Sequence, residues 1–212
     1  MSLPPLLIAT TSAHKFTEIA AFLDGIPWQL KSLRDFPRID APEENGDSFE
    51  ANAIIKARSY GDRFGVACVA DDSGLVVDAL NGAPGIYSAR YAGEVATDHE
   101  NNEKLLAALE SVPSEKRTAR FVCCCALLIP RTDSDVDAHV ETGTVDGHIA
   151  FETSGAHGFG YDPLFIPNGH DKSFGELGPE IKSTISHRAQ AFRKLRAFLA
   201  RTHLPDFRAE GA

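Results

Sequence analysis

Val66-Ala67-Cys68-Val69-Ala70-Asp71-Asp72-Ser73-Gly74-Leu75 sets an apolar run of small and β-branched residues directly against two adjacent carboxylates, a hydroxyl and a glycine. The length and composition of the run predict a buried strand. Side chains alternate along a strand, so Asp71 and Asp72 point opposite ways and only one of them faces a given pocket. Two acids at the end of a buried strand are costly unless each is paired, hydrogen-bonded or bound to a metal. Upstream stands another acidic pair, Glu43-Glu44. The expectation is that one acid from each place holds a divalent cation, and that the cation holds a phosphate chain.

The segments before this strand supply cations. Leu6-Leu7-Ile8-Ala9-Thr10 reads as a strand, Thr11-Ser12-Ala13-His14-Lys15 as a polar turn, and Phe16, Ile19, Ala20 and Leu23 as one face of a helix that Ser12 can cap. Amide groups at a helix N-terminus attract anions and Lys15 adds a full charge. The P-loop pattern GxxxxGK[ST] is absent. Read alone, the turn is more simply a capped helix below a solvated lysine. Residues 30–39 suggest a short strand and a loop. Ser48 can cap a second helix, in which Asn52 and Lys56 share one face while Phe49, Ala53 and Ala57 form a packing face.

Beyond the acidic strand, Asn81-Gly82 and Pro84-Gly85 mark tight turns. The loop that follows carries Tyr87, Arg90 and Tyr91, groups suited to stacking on a flat base. A helix is expected over 98–109. A strand at 118–130 holds Cys123-Cys124-Cys125 as small core residues, and an antiparallel partner at 137–145 is joined to it by a polar tip at 131–135. Gly158-Phe159-Gly160-Tyr161-Asp162 combines accessible backbone, aromatic faces and an acceptor. Ser186 can cap a last helix with His187 and Arg188 in its first turn and Lys182 just upstream. Cations are unfavourable at a helix N-terminus, a conflict that makes sense where an anion binds.

The whole chain, 212 residues with net charge −9 and 43% apolar residues, fits an ordinary globular protein and argues against a general nucleic-acid or anionic-membrane binder. Four cysteines without CxxC spacing make zinc or redox chemistry a poor reading, and reduced thiols point to the cytoplasm. No signal peptide or membrane-spanning segment is expected. There is no repeat or linker, so one domain over 1–205 with a polar tail at 206–212 is expected.

Taken together and in this order, these motifs resemble the inosine triphosphate pyrophosphatase family, the non-canonical purine nucleoside triphosphate pyrophosphatases. The matching pieces are Ala9 through Lys15 with Glu18, Glu43 to Lys56, Ala70-Asp71-Asp72-Ser73-Gly74-Leu75, Gly82-Ala83-Pro84-Gly85 with Tyr87-Ser88-Ala89-Arg90-Tyr91, Gly158 to Pro163, and Ile185-Ser186-His187-Arg188. The resemblance implies an α/β fold with a long mixed sheet flanked by helices, two lobes and a site in the cleft between them. It implies Mg²⁺-dependent hydrolysis of ITP, dITP and XTP to the monophosphate and pyrophosphate, by a homodimer. It also implies roles. Asp72 becomes the catalytic acid, with Glu43 and Asp72 on the metal. Thr10, Thr11, Ser12, Ala13, His14 and Lys15 form the phosphate-binding turn. Phe159, Gly160, Tyr161 and Asp162 form the base loop, and Ser73, Lys182, His187 and Arg188 contact substrate. Asn52 and Lys56 join this set as anion donors from their shared helical face. Ser12 and Ser183 depart from the family, where asparagine is common.

Three rivals remain open at this stage. One is a pyrophosphatase for pyrimidine or otherwise modified nucleotides, and another is a nucleotide sensor without turnover. The third, an aspartyl-phosphate phosphatase, lacks its DxDxT spacing.

Overall fold

A computed structural model describes residues 3–130 and 138–201. The expected polar tip at 131–135 and the tail at 206–212 lie outside the described residues. Six strands form one mixed sheet in the order β2-β1-β3-β4-β5-β6. β1 (Pro5–Ile8) runs parallel to both β2 (Gln29–Ser32) and β3 (Ala67–Val77). β4 (Thr118–Leu128), β5 (Ala138–Ile149) and β6 (Phe165–Pro167) continue antiparallel from β3. The acids therefore do not end the buried strand. β3 runs on through them for five more residues, because Leu75 and Val77 enter a second core beyond the polar stretch.

The period of two along β3 sorts its side chains. Val69 joins a core with Ile19 of α1 (Ala13–Phe22), Leu23 at its C-terminal cap, and Phe192 and Leu195 of α5 (His187–Leu199). Cys68 and Ala70 join the opposite face, under Ala53, Ala57 and Tyr60 of α2 (Phe49–Phe64). The three neighbouring cysteines of β4 alternate in the same way, and all four cysteines are buried and unbridged. The second core gathers Leu105 and Leu109 around α3 (Asp98–Ala108), Phe121, Tyr161, Phe165 and Phe174. The lobes thus share the long pair β3–β4, and the polar residues of β3 lie where one core gives way to the other.

Caps fall where expected. Ser12, Ser48 and Ser186 each accept a hydrogen bond from the amide three residues on. One helix had no signal in the sequence reading: α4 (Phe174–Ile185), which is broken internally at Gly178 ahead of Pro179. Among the described residues no helix is long and apolar enough to cross a membrane.

Candidate active site

On the α2 face of β3, Asp72 Oδ1 accepts from Lys56 Nζ at 2.8 Å, and Asn52 Nδ2 lies 3.4 Å from Asp72 Oδ2. Lys56 Nζ also donates to Glu44 Oε2 at 3.1 Å. Asn52 Oδ1 in turn accepts from the Gly46 amide at 2.9 Å, fixing the acidic loop to α2. Glu43 was expected at the metal, but it points to solvent and does not line the cleft; its neighbour Glu44 does. Two adjacent residues of an extended loop cannot both turn inward, and composition alone did not say which would. Burial raises the Asp72 carboxyl above the usual carboxylate range, against the pull of the Lys56 ammonium.

On the other face Asp71 is fully enclosed. Its Oδ2 accepts from Arg188 Nε and Nη2 at 3.3 and 3.2 Å and lies 3.4 Å from Lys15 Nζ. Arg188, 1% exposed, also donates to Glu18 Oε2 at 2.7 Å and to Ser73 Oγ at 2.9 Å. Burial opposes the charge on Asp71, but Lys15, Arg188 and Lys56 outweigh it and hold the carboxyl well below its ordinary range. Burial likewise works against the Arg188 cation, and Asp71 and Glu18 more than compensate.

A third cluster builds the glycine–aromatic loop. Lys182 Nζ donates to Asp162 Oδ2 at 2.6 Å, lies 3.3 Å from Glu18 Oε1, and sits 4.3 Å from the centroid of the Phe159 ring. Asp162 Oδ2 also accepts the Phe159 amide at 2.9 Å, and burial raises this carboxyl against the Lys182 charge. Gly158, at φ 80, permits that fold-back: a Cβ there would collide with the Asp162 carboxylate. The Gly160 peptide is clamped at both ends by α3, its amide donating to Asp98 Oδ2 at 2.7 Å and its carbonyl accepting from Asn102 Nδ2 at 2.9 Å. The loop amides of Phe159 and Gly160 are therefore already engaged. Burial, with Arg188 and Lys182 alongside, keeps the His187 imidazole well below its ordinary pKa and hence neutral. The ring stacks on Phe121 at 4.8 Å, and its buried Nδ1 has no hydrogen-bond partner among the described residues.

Two cavities meet across these clusters. One, of about 280 Å³, is walled by Thr10, Thr11, Lys15, Glu44, Lys56 and Asp72 among others. Its neighbour, of about 240 Å³, is walled by Phe159, Gly160, Tyr161, Asp162, Lys182, His187 and Arg188 among others. Ser12, Lys15, Ser73 and Ala89 line both. The turn from Thr10 to Lys15 divides its members: Ala13 faces a larger groove of about 810 Å³ that holds none of Asp71, Asp72 and Glu44, and His14 stacks on Phe159 at 5.8 Å. Tyr87 and Tyr91, expected against a base, line neither cavity. Tyr87 is exposed below Arg90, and Tyr91 packs on the second core under Lys104.

Asp71, Glu18, Glu44 and Arg90 also take part in the site: Asp71 and Glu44 are the members of the two acidic pairs left without an assigned role, Glu18 had none assigned, and Arg90 was expected to stack on a base. Glu18 had a signal, since it stands one turn after Lys15 on the same helical face. Asp71 had half of one: alternation turned it away from Asp72, but nothing in the sequence said that Arg188 would meet it.

The sequence matches the Ham1 family over residues 6–198. It is 47% identical over 194 residues to a dITP/XTP pyrophosphatase of Geobacter sulfurreducens, covering 92% of this chain and 96% of that one. It is 43% identical over 194 residues to the enzyme of the same name from Bacillus cereus, covering 92% and 94%. The solved structure of a HAM1 protein from Coxiella burnetii superimposes with a TM-score of 0.84 at 39% identity, covering 94% of this chain and all of that one. A long mixed sheet with its polar cleft between two cores, together with this similarity over nearly the full length, places the chain in the Ham1 family.

Proposed function

We propose that this chain is a nucleoside triphosphate pyrophosphohydrolase that converts dITP, ITP and XTP to their monophosphates and pyrophosphate. The observation that carries the reading is the join of the two cavities. A pocket with convergent acids and lysines, suited to a phosphate chain, opens through Lys15 and Ser73 onto one with an aromatic wall and hydrogen-bond donors, suited to a nucleoside. The names of the relatives support the same substrate class.

Phosphoryl-type transfer needs positioning and charge neutralisation more than covalent help. Asp72 stands in the acid pocket with a carboxyl raised by burial, which improves it as an acceptor for the proton of a water attacking the α-phosphorus. Pyrophosphate leaves against Lys15 at the N-terminus of α1. The donor set also fits Mg²⁺, which takes one or two carboxylates and keeps its remaining positions for water and phosphate oxygens. Glu44 and Asp72 already converge on one point, the Lys56 ammonium, so these two rather than Glu43 would hold the ion. When bound, Mg²⁺ neutralises phosphate charge and lowers the pKa of nearby water.

Selectivity follows from donors. Lys182, His187 and Arg188 face the nucleoside cavity, and the 6-oxo group of a deaminated purine is an acceptor, whereas the 6-amino group of adenine is a donor that leaves such groups unpaired. The same reading carries one domain working as a cytoplasmic homodimer, without nucleic acid or membrane.

Pyrophosphate release measured with Mg²⁺ across a nucleotide panel tests it. Inosine and xanthosine triphosphates are expected to be preferred over ATP by at least about 100-fold in kcat/KM. Preference for a pyrimidine triphosphate would instead support the modified-nucleotide reading, and binding without release would support a sensor.

A further inference from the structure

The acid pocket contains three cations, and they differ in what they already hold. Lys56 is fixed between Asp72 and Glu44, and Lys15 lies against Asp71. The third is Arg90, which lines the same cavity but pairs with none of its acids. Its ion-pair partner is Glu94, at 3.5 Å, whose side chain is 84% exposed. A pair four residues apart whose acid is so exposed to solvent is weak and screened by salt, so Arg90 can leave it for a phosphate at little cost. The Tyr87 ring, 5.3 Å from the guanidinium carbon, supports the head group without consuming a donor.

The segment that carries Arg90 is held firmly. Gly85–Arg90 is a short helical stretch whose Ser88 hydroxyl accepts the Leu75 amide at 2.9 Å and donates to the Gly85 carbonyl at 2.6 Å. Tyr161 Oη donates to the Ser88 carbonyl at 2.9 Å, and Asn101 Nδ2 to the Ala89 carbonyl at 3.2 Å. Gly74 makes this docking possible, because a Cβ there would collide with the Ser88 hydroxyl and the Gly85 carbonyl. The backbone position is fixed by β3, the base loop and α3 at once, while the guanidinium at its end remains available. Pre-organised, bidentate recognition of phosphate oxygens is what an arginine in such a setting provides.

We propose that Arg90 grips the terminal phosphates of the substrate and the pyrophosphate that leaves, as a substrate-positioning residue distinct from the groups that contact the α-phosphate and the base. The proposal rests on the pyrophosphohydrolase reading above.

The test compares the wild-type chain with Arg90→Ala and Arg90→Lys. Arg90→Ala is expected to lower kcat/KM for inosine triphosphate about tenfold or more, the effect of losing a hydrogen bond to a charged group. It should weaken inhibition by inorganic pyrophosphate by a similar factor while leaving inhibition by inosine monophosphate within about twofold. Arg90→Lys, which keeps the charge and loses the planar fork, should fall between the two. Equal weakening of pyrophosphate and inosine monophosphate would mean a general disturbance of the site and overturn the role, as would an Arg90→Ala variant that behaves as wild type. A wild-type chain that releases no pyrophosphate from inosine triphosphate would overturn the activity reading, and this proposal with it.

Discussion

Asp71 and Asp72 are neighbours in sequence, on one strand, and their surroundings give them opposite characters. Asp71 is enclosed by Arg188, Lys15 and Ser73. It lines the acid cavity beside Asp72 but is almost fully buried, and its cationic partners hold its carboxyl well below the ordinary range. Asp72 is held by one lysine and one amide at the edge of a cavity, with burial working against its charge. Alternation along a strand delivered one carboxylate to each face, and the helices packed there decided what each became. The same residue type is thus a counter-ion to Arg188 on the α5 side and, in the proposed function, the reactive group on the α2 side.

The contrast is most directly broken by amide substitutions. Asp72→Asn is expected to reduce turnover of inosine triphosphate by about 10³-fold or more, as loss of a general base does, while denaturant unfolding shows stability within about 1 kcal/mol of wild type, Glu44 still pairing with Lys56. Asp71→Asn removes the charge that balances the buried Arg188 and is expected to cost about 3 kcal/mol in the same unfolding measurement. If both variants lose stability equally and both stay active, the assignment of roles is wrong.

The acidic loop gives a smaller test of the same face. Glu44→Gln should lower kcat/KM by about tenfold at limiting Mg²⁺, comparable to removing a metal-ligand partner, and Glu43→Gln should stay within about twofold. The reverse order would return the metal role to Glu43.

The smallest effects are in pH dependence, where the two acids act with opposite sign. The Asp71 carboxyl is depressed in the folded chain, so its stabilisation is present above the unfolded-state value and is lost as pH falls through the ordinary carboxylate range and below. The Asp72 carboxyl is raised, so the folded state binds its proton more readily and the stability associated with it falls as pH rises across that interval. Unfolding followed from neutral to acid pH should show a shallower loss of stability in Asp71→Asn than in wild type, and a steeper one in Asp72→Asn. The wild-type rate should decline as pH falls through the raised Asp72 value.

Much of this was readable from local pattern. The buried strand, its alternation and the serine caps at Ser12, Ser48 and Ser186 depend on residues within a few positions of one another. Lys182, His187 and Arg188 at a helix N-terminus, and two acids on a buried strand, were legible as conflicts that a folded chain must resolve. What the sequence left unread depends on distance or on one rotation. Arg188 meets Asp71 across 117 positions, and no local rule connects them. Glu43 and Glu44 differ by a single step along the loop, and it is Glu44 that meets Lys56 once the Gly46–Asn52 bond ties the loop to α2. Tyr87 and Tyr91 had the right chemistry for a base but belong to a segment that docks through Ser88 and points them elsewhere. The strand continued past Asp72 because a second core lay beyond, which no reading of the acidic run could show.

The grip of α3 on the Gly160 peptide has a practical meaning for anyone wishing to retune this molecule. Asp98 and Asn102 fix where the aromatic wall stands by holding the Gly160 backbone, from positions 62 and 58 residues away along the chain. Altering those two side chains would re-seat the wall as a unit and spare its own residues, so a search for variants with shifted appetite would do well to begin on that helix.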